Sequence, residues 1–395
     1  MATLIFWASI AIIAGVYFGY PVALAAGMLG GRRRFEKGEV APLVSFIIAA
    51  HNEESCIEAK ILNVLAFDYP REKIEILIGS DGSRDHTEEI VRRYESEGVG
   101  LISFPQQHGK SAMQNGLVAV ASGEILVFTD ADCFAAPETL RLVLDNFHDA
   151  RVGLVTARPQ YSNERETRIS ENESAYVRYE SWLRRQESER GLLAMASGSF
   201  FAMRRSLWKP LDANLGDDFA FPLQVARRRL CNLLEPRAVA VTQLTQTQPA
   251  SMLRLKSRII SKDLRALLAN RTLLNPFRFG ALAIGLWFHK LLRWLVPYFL
   301  LAAGATNVAL LDRPAYRAVV ALQLAFYGLA AAGFALRRRP LPSPWSIPMS
   351  FCLVNAAALI GTVKCVAGGT SGRWTPDRAA TSKLSPLSEA SRDAE

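Results

Sequence analysis

The stretch GEILVFTDADC, residues 123 to 133, runs five apolar or β-prone residues, Ile125 to Thr129, into two aspartates one residue apart, Asp130 and Asp132. Carboxylates held that close repel each other and raise each other's pKa. A chain with no use for the pair would gain by losing one, so a positive charge is expected beside them. At the end of a buried strand, the charge that fits is an oxygen-liganded divalent cation, Mg²⁺ or Mn²⁺, held by carboxylate and by the phosphates of a substrate. Such an ion neutralises a departing diphosphate as a Lewis acid. An Asp-x-Asp alone is common in surface loops, so its meaning rests on the elements that position it.

Those elements alternate. LVSFIIAA is an apolar strand, EESCIEAKILNVLAF has helical periodicity, and KIEILIGS is a second strand that ends in DGSRDHT. A helix over 85–97, a short strand GLISFP, a helix over 110–121 and the strand EILVFTD follow. The order βαβαβαβ over residues 43–160 predicts a mostly parallel sheet with helices on both faces. In such sheets ligands bind beyond the carboxyl ends of the strands. Three strand ends carry polar residues suited to that position: His51, Asn52 and Glu53; Asp81, Ser83 and Asp85; Asp130 and Asp132. From 161 to about 250 the sequence turns polar and irregular, with MASGSFFAMRR and LGDDFAFPLQVARRR as landmarks. Asp217 and Asp218, read by position alone, fit a helix N-cap before FAFPLQVARRR. The basic segment 253–268 reads either as a helix lying on a membrane surface or as an ordinary amphipathic helix packed on the domain.

Half of the 395 residues are hydrophobic and the mean hydropathy is slightly positive, which points to membrane segments. Residues 3–31 carry no charge and are long enough to span a bilayer. The first basic residues, Arg32, Arg33 and Arg34, come after this run, so it is expected to be an anchor and not a cleaved leader. By the positive-inside rule they place the next segment in the cytoplasm. Further apolar stretches cover about 291–311, 317–336 and 345–366, with Arg337, Arg338 and Arg339 marking a cytoplasmic end. LWFHKLLRWL, 286–295, has the mixed composition of an interfacial segment. The expected organisation is an anchor over 1–31, a catalytic domain over 40–270, an interfacial segment and spans over 277–367, and a flexible tail over 368–395. The net charge of +9 lies largely in arginine clusters beside apolar runs, which fits membrane orientation better than nucleic-acid binding. Five scattered cysteines with no Cys-x-x-Cys pair give neither a disulfide frame nor a zinc site.

Six motifs occur in order: VSFIIAAHNEE, GSDGSRDHT, HGKSAMQNG, ILVFTDAD, SGSFFAMRR and GDDFAF. Together they resemble the family 2 glycosyltransferases of GT-A fold, and more closely the membrane-anchored bacterial members that build polysaccharides or glycolipids. The resemblance covers roughly residues 43–270. It implies an α/β domain with a Rossmann-like, mostly parallel sheet, flanked by transmembrane helices. It also implies an inverting, metal-dependent hexosyltransferase on the cytoplasmic face of the inner membrane. The donor would be a nucleotide sugar, a UDP-sugar in the first instance, and the acceptor a lipid-linked or growing glycan.

By that resemblance Ala50, His51, Asn52 and Glu53 line the nucleotide pocket and Asp81 contacts uracil or ribose. Lys110 approaches the nucleotide or its phosphates. Asp130 holds the ribose and metal side, and Asp132 ligates the metal. Asp218 matches the catalytic base, with Asp217 where glutamate is commoner, and Gly198 and Arg204 match the acceptor-side loop. His108 reads as a loop residue and Cys133 as small packing. Two departures stand out: Ala49 replaces the usual proline, and no Gln-x-x-Arg-Trp pentapeptide follows Asp218, which argues against chain-elongating synthesis. Two rivals remain open, a polyprenyl-phosphate glycosyltransferase and a catalytically silent membrane scaffold of the same fold.

Overall fold

Seven consecutive residues with no polar face, Val44–Ala50, form strand β1, and all seven are buried. A strand buried on both sides belongs in the middle of a sheet covered by helices. In the computed structural model β1 lies there. It pairs in parallel with β2 (Ile74–Asp81) on one side and β4 (Ile125–Thr129) on the other, and β2 pairs in parallel with β3 (Val99–Phe104). The structure describes residues 1–162, 170–242, 249–336 and 343–368. It divides into two units, one holding 34–162 and 193–242, the other 1–33, 170–192, 249–336 and 343–368.

The first unit is the sheet domain. Its eight strands run in the order β3-β2-β1-β4-β7-β6-β8-β5, where β5 is Phe134–Ala135, β6 Val152–Tyr161, β7 Phe200–Arg204 and β8 Cys231–Thr242. β7 runs antiparallel between β4 and β6, and β8 is parallel to β6, so the sheet is mixed with a parallel core. The chain moves outward from β1 through β2 to β3 and then returns to the far side of β1 as β4. That reversal makes the carboxyl ends of β1 and β4 a topological switch point, where the diverging connections leave a crevice. Phe128 packs at 5.0 Å on Phe201 and 4.9 Å on Phe221, while Phe46 stacks at 5.5 Å on Phe67. These aromatic pairs hold β4 rigid up to its last residue. The βαβαβαβ expectation and the predominance of parallel pairing hold over 44–161. The stretch read as irregular holds a helix at Ser170–Ser188 and the long strand β8.

Among the described residues, the second unit contains four helical stretches long and apolar enough to cross a membrane: Ala2–Ala25, Ala281–Val308, Pro314–Ala335 and Trp345–Val366. The second of these takes in 286–295, so the segment read as interfacial continues an apolar helix, with a π-helical turn at Leu286–Leu291. Its charged residues have partners on the helix Ser170–Ser188: His289 Nδ1 lies 2.7 Å from Glu187, and Arg293 bonds Glu180. The basic helix Pro249–Ala269 approaches Ser343–Val366 closely, a Cβ at Gly361 meeting the Ser257 carbonyl at 2.8 Å. It and the helix Ser170–Ser188 group with the apolar helices, so the sheet domain is interrupted within the expected 40–270. The arginines at 337–339 and the tail beyond 368 lie outside the described residues.

Candidate active site

Two loops at the switch point are tied to each other before any ligand is considered. After β1 the chain turns at Asn52, whose φ of 55° is left-handed, a conformation asparagine tolerates better than most residues. Its side chain accepts from the Arg84 N–H at 2.8 Å, and its own N–H donates to Ser83 Oγ at 3.1 Å. Asp85 accepts from Glu54 N–H with one oxygen and from Thr87 N–H and Oγ with the other. The burial of Asp85 is outweighed by these bonds, which hold its carboxyl below the ordinary aspartate value. Glu53 is 2% exposed and accepts a bond from the Cys56 thiol at 3.0 Å. The residues expected to line a nucleotide pocket, Ala50 to Glu53, are therefore a preorganised wall.

Asp81, at the tip of β2, is 1% exposed. One oxygen accepts the His108 N–H at 2.7 Å and the other the Gly109 N–H at 2.8 Å, while His51 Nδ1 sits 2.7 Å from the Asp81 carbonyl. Its carboxylate thus shapes the loop that delivers Lys110, the first residue of the helix Lys110–Val120. Gly109 has φ 93°, so the sharp entry into that helix suits glycine.

At the centre lies a chain of charges. Lys110 Nζ is 2.8 Å from Asp130 Oδ1 and 3.0 Å from Asp217 Oδ2. The two carboxylates outweigh burial and hold the ammonium well above the ordinary lysine pKa. Asp217 also accepts from Gln114 Nε2 at 2.7 Å. Burial alone would raise its pKa, but Lys110 and Gln114 bring it below the usual range. Asp132 differs: burial and then the charge of Asp130 push its carboxyl up to about 6. The expected repulsion between the two aspartates is thus present in the structure, and part of the expected positive charge is Lys110.

A second lysine lies beneath. Lys60 is fully buried, with Nζ donating to Thr129 Oγ1 at 2.8 Å and to the Cys133 carbonyl at 2.6 Å. Its two bonds bracket the Asp130–Asp132 turn, one on each side. Burial lowers its pKa against the pull of Cys133, Asp130 and Asp132. Sequence reading passed over Lys60 and Gln114. For Lys60 the signal was there: it lies with Ile57, Ile61 and Val64 on the buried face of its helix, a position where a charge is costly unless compensated.

The acceptor-side expectations divide. Asp218 follows Asp217 at the start of the helix Asp217–Arg227, where Gly216 is the N-cap and no side chain caps, so neither aspartate is the cap. A negative charge in a first turn is favoured by the helix dipole. Gly198 lies against Asp218: a Cβ there would stand 3.6 Å from the Asp218 Cβ and 3.8 Å from Oδ2. Next to it the Ser199 carbonyl accepts from Asp130 N–H at 3.2 Å, so the SGS segment bridges the two carboxylate positions. Arg204 is corrected. In the antiparallel β4–β7 register Thr129 faces Phe200 and Ile125 faces Arg204, which puts Arg204 at the opposite end of the sheet from Asp130. Its guanidinium bonds the Val152, Phe147 and Asp149 carbonyls there.

Asp130 and Asp132 suit a divalent cation that takes its remaining oxygens from a diphosphate and water. Among the described residues no group of three or more His, Cys, Asp or Glu forms an all-protein cage. Two half-buried carboxylates are the kind of oxygen donor that Mg²⁺ or Mn²⁺ uses.

Comparison with known proteins accords with this geometry. Residues 45–211 match the family model Glycosyl transferase family 2. The chain is 29% identical over 188 residues to a beta-monoglucosyldiacylglycerol synthase of Nostoc sp., covering 46% of this chain and 40% of that protein. It is 28% identical over 165 residues to a poly-beta-1,6-N-acetyl-D-glucosamine synthase of Staphylococcus aureus, covering 41% of this chain and 40% of that one. The chain thus matches well under two thirds of the length of these relatives. Among solved structures, a mannosyltransferase from Pyrobaculum calidifontis in complex with GDP-Man and Mn²⁺ superposes with a TM-score of 0.68 at 20% identity, over 94% of this chain and all of that one. A mixed sheet with its switch point at β1 and β4, the Asp-x-Asp at that point and the six ordered motifs agree with these matches: over residues 45–211 the chain matches the glycosyl transferase family 2 model, it shares the fold of that mannosyltransferase, and among the described residues four helices are apolar enough to span a membrane.

Proposed function

We propose that this chain is an inverting, metal-dependent hexosyltransferase that takes a sugar from a nucleotide sugar, UDP-linked in the first instance, and places it on a lipid-linked or polysaccharide acceptor at the cytoplasmic face of the membrane. The observation that carries the reading is the line of charge from Asp132 through Asp130 and Lys110 to Asp217, with Asp218 beside it, at the sheet's switch point. The names of similar proteins agree with it: one makes a glucolipid, another a polysaccharide, and a third was solved with a nucleotide sugar and Mn²⁺.

In this reading the wall of Ala50, His51, Asn52 and Glu53 receives the nucleoside, and Asp81 sets the shape of the adjoining loop. Asp130 and Asp132 hold the divalent ion, which when bound offsets the charge of the diphosphate. Lys110 adds a second positive charge toward the same phosphates. The acceptor hydroxyl gives its proton to Asp218 as its oxygen bonds to the anomeric carbon. The bond from that carbon to the diphosphate breaks on the opposite side, so the configuration inverts. Gly198 stands beside this base, a Cβ there lying at van der Waals distance from the Asp218 carboxylate.

The direct test is to incubate membranes containing the protein with a panel of radiolabelled nucleotide sugars and follow label into lipid or polymer. Transfer from one donor is expected, and no transfer from any would favour the silent scaffold. Asp218→Asn keeps size and polarity but removes the basic site. Turnover should fall by about 10² to 10⁴-fold while UDP affinity, read by calorimetry, hardly moves. Near-normal turnover would remove Asp218 from the mechanism and favour an acceptor that needs no base, such as a lipid phosphate. A reporter that is active only outside the cytoplasm, fused at residue 240 near the end of β8, should be silent. An active fusion would reverse the orientation drawn from Arg32 to Arg34.

A further inference from the structure

The Lys110 bridge spans Asp130, a proposed metal ligand, and Asp217, the residue that precedes the proposed base Asp218. Asp130 belongs to the nucleotide and metal side, Asp217 to the acceptor side, and one ammonium lies within 3.0 Å of both. The bridge is built into the fold. Ser111 Oγ donates to the Leu215 carbonyl at 3.1 Å, Asn115 donates to the Leu211 carbonyl at 2.8 Å and accepts the Leu211 N–H at 3.0 Å, and Gln114 holds Asp217. The face of the helix that begins at Lys110 is therefore fastened to the segment leading into Asp217. Gln114 is 2% exposed, and its Oε1 has no hydrogen-bond partner. A buried acceptor left unmatched is costly.

We propose that Lys110 is a resident cation that closes the metal position at Asp130 until a nucleotide diphosphate arrives, so that metal and nucleotide bind as a unit. The inference rests on the metal-dependent reading above and adds an order of events to it. The ammonium 2.8 Å from Asp130 Oδ1 already neutralises the carboxylate that a divalent ion would use, so metal alone binds against that charge or takes from Lys110 one of its anions. A diphosphate removes that obstacle, because it offers the ammonium another anion and the metal further oxygen ligands. Binding of either ligand then promotes the other, a positive coupling that is necessarily reciprocal. Displacement of Lys110 also releases Asp217, which links filling of the donor site to the charge beside the acceptor.

The test measures Mn²⁺ binding by the free-ion EPR signal on the purified full-length protein, with and without UDP, so no turnover is needed. Without UDP, Lys110→Met should bind Mn²⁺ about tenfold or more tightly than the unaltered protein, since the competing charge is gone. Lys110→Gln should behave the same way, and Lys110→Arg, which keeps a cation, should stay near the parent. Adding Asp132→Asn to Lys110→Met should abolish the gain, locating it at the Asp-x-Asp. With UDP present the parent's Mn²⁺ affinity should rise about tenfold or more, and the rise should shrink in Lys110→Met. Equal or weaker Mn²⁺ binding by Lys110→Met, or a gain that survives Asp132→Asn, overturns the inference while leaving the glycosyltransferase reading intact. Absence of Mn²⁺ binding by every protein even with UDP overturns both.

Discussion

Two carboxylates held at the end of a buried strand repel each other, and much of the sheet domain is arranged around that repulsion. β4 cannot bend to relieve it, because Phe128 is held between Phe201 and Phe221 and the turn after Thr129 is bracketed by Lys60. Nor can water fully screen it: Asp132 is buried enough that its carboxyl rises to about 6. The fold answers with two ammonium groups of different kind. Lys60 is fixed in the core, and Lys110 stands at a helix start where it can exchange partners. Neither supplies the double charge and open ligand positions that a diphosphate leaving group needs.

The topology explains why this tension sits where it does. A parallel sheet directs its strand ends, and hence its loops, to one edge, and the reversal between β1 and β4 opens a crevice there. The loop after β1, the loop after β2 and the Asp-x-Asp turn all reach that edge. Asp81 and Asp85 use their carboxylates to tie loops together through backbone amides, which fixes the pocket before a ligand enters. Carboxylates at the same edge therefore divide into those that hold backbone and those that face charge, and only the latter are suited to metal and proton chemistry.

Much of this was legible in the sequence, for a physical reason. Apolar runs of five to eight residues separated by amphipathic stretches specify parallel strands and crossover helices almost by themselves, and polar residues at strand ends have few structural uses. Ala50 to Glu53, Asp81, Lys110, Asp130, Asp132, Gly198, Asp217 and Asp218 all come to one region of the sheet domain. Arg204 does not. It is six residues from Gly198, but a strand covers about 3.3 Å per residue, and β7 carries it to the far end of the sheet. Local motif spacing cannot reveal that without knowing that the segment is a strand and antiparallel. Asp81 was expected to face the nucleoside, and its two backbone partners at 108 and 109 depend on a loop folding back over 27 residues. Gln114 and the double pairing of Lys110 were hidden likewise, since both need the segment 211–217 brought against the helix Lys110–Val120.

The proposed function joins membrane attachment and sugar transfer through one claim: the Asp-x-Asp is a cation site that carries a nucleotide diphosphate. Calorimetric titration of UDP into the purified protein, in Mn²⁺ and again in excess chelator, addresses that claim most directly. The account predicts clear binding with Mn²⁺, little or none with chelator, and loss of the Mn²⁺-dependent part in Asp132→Ala. UDP binding of the same strength in chelator, unaffected by Asp132→Ala, would contradict it.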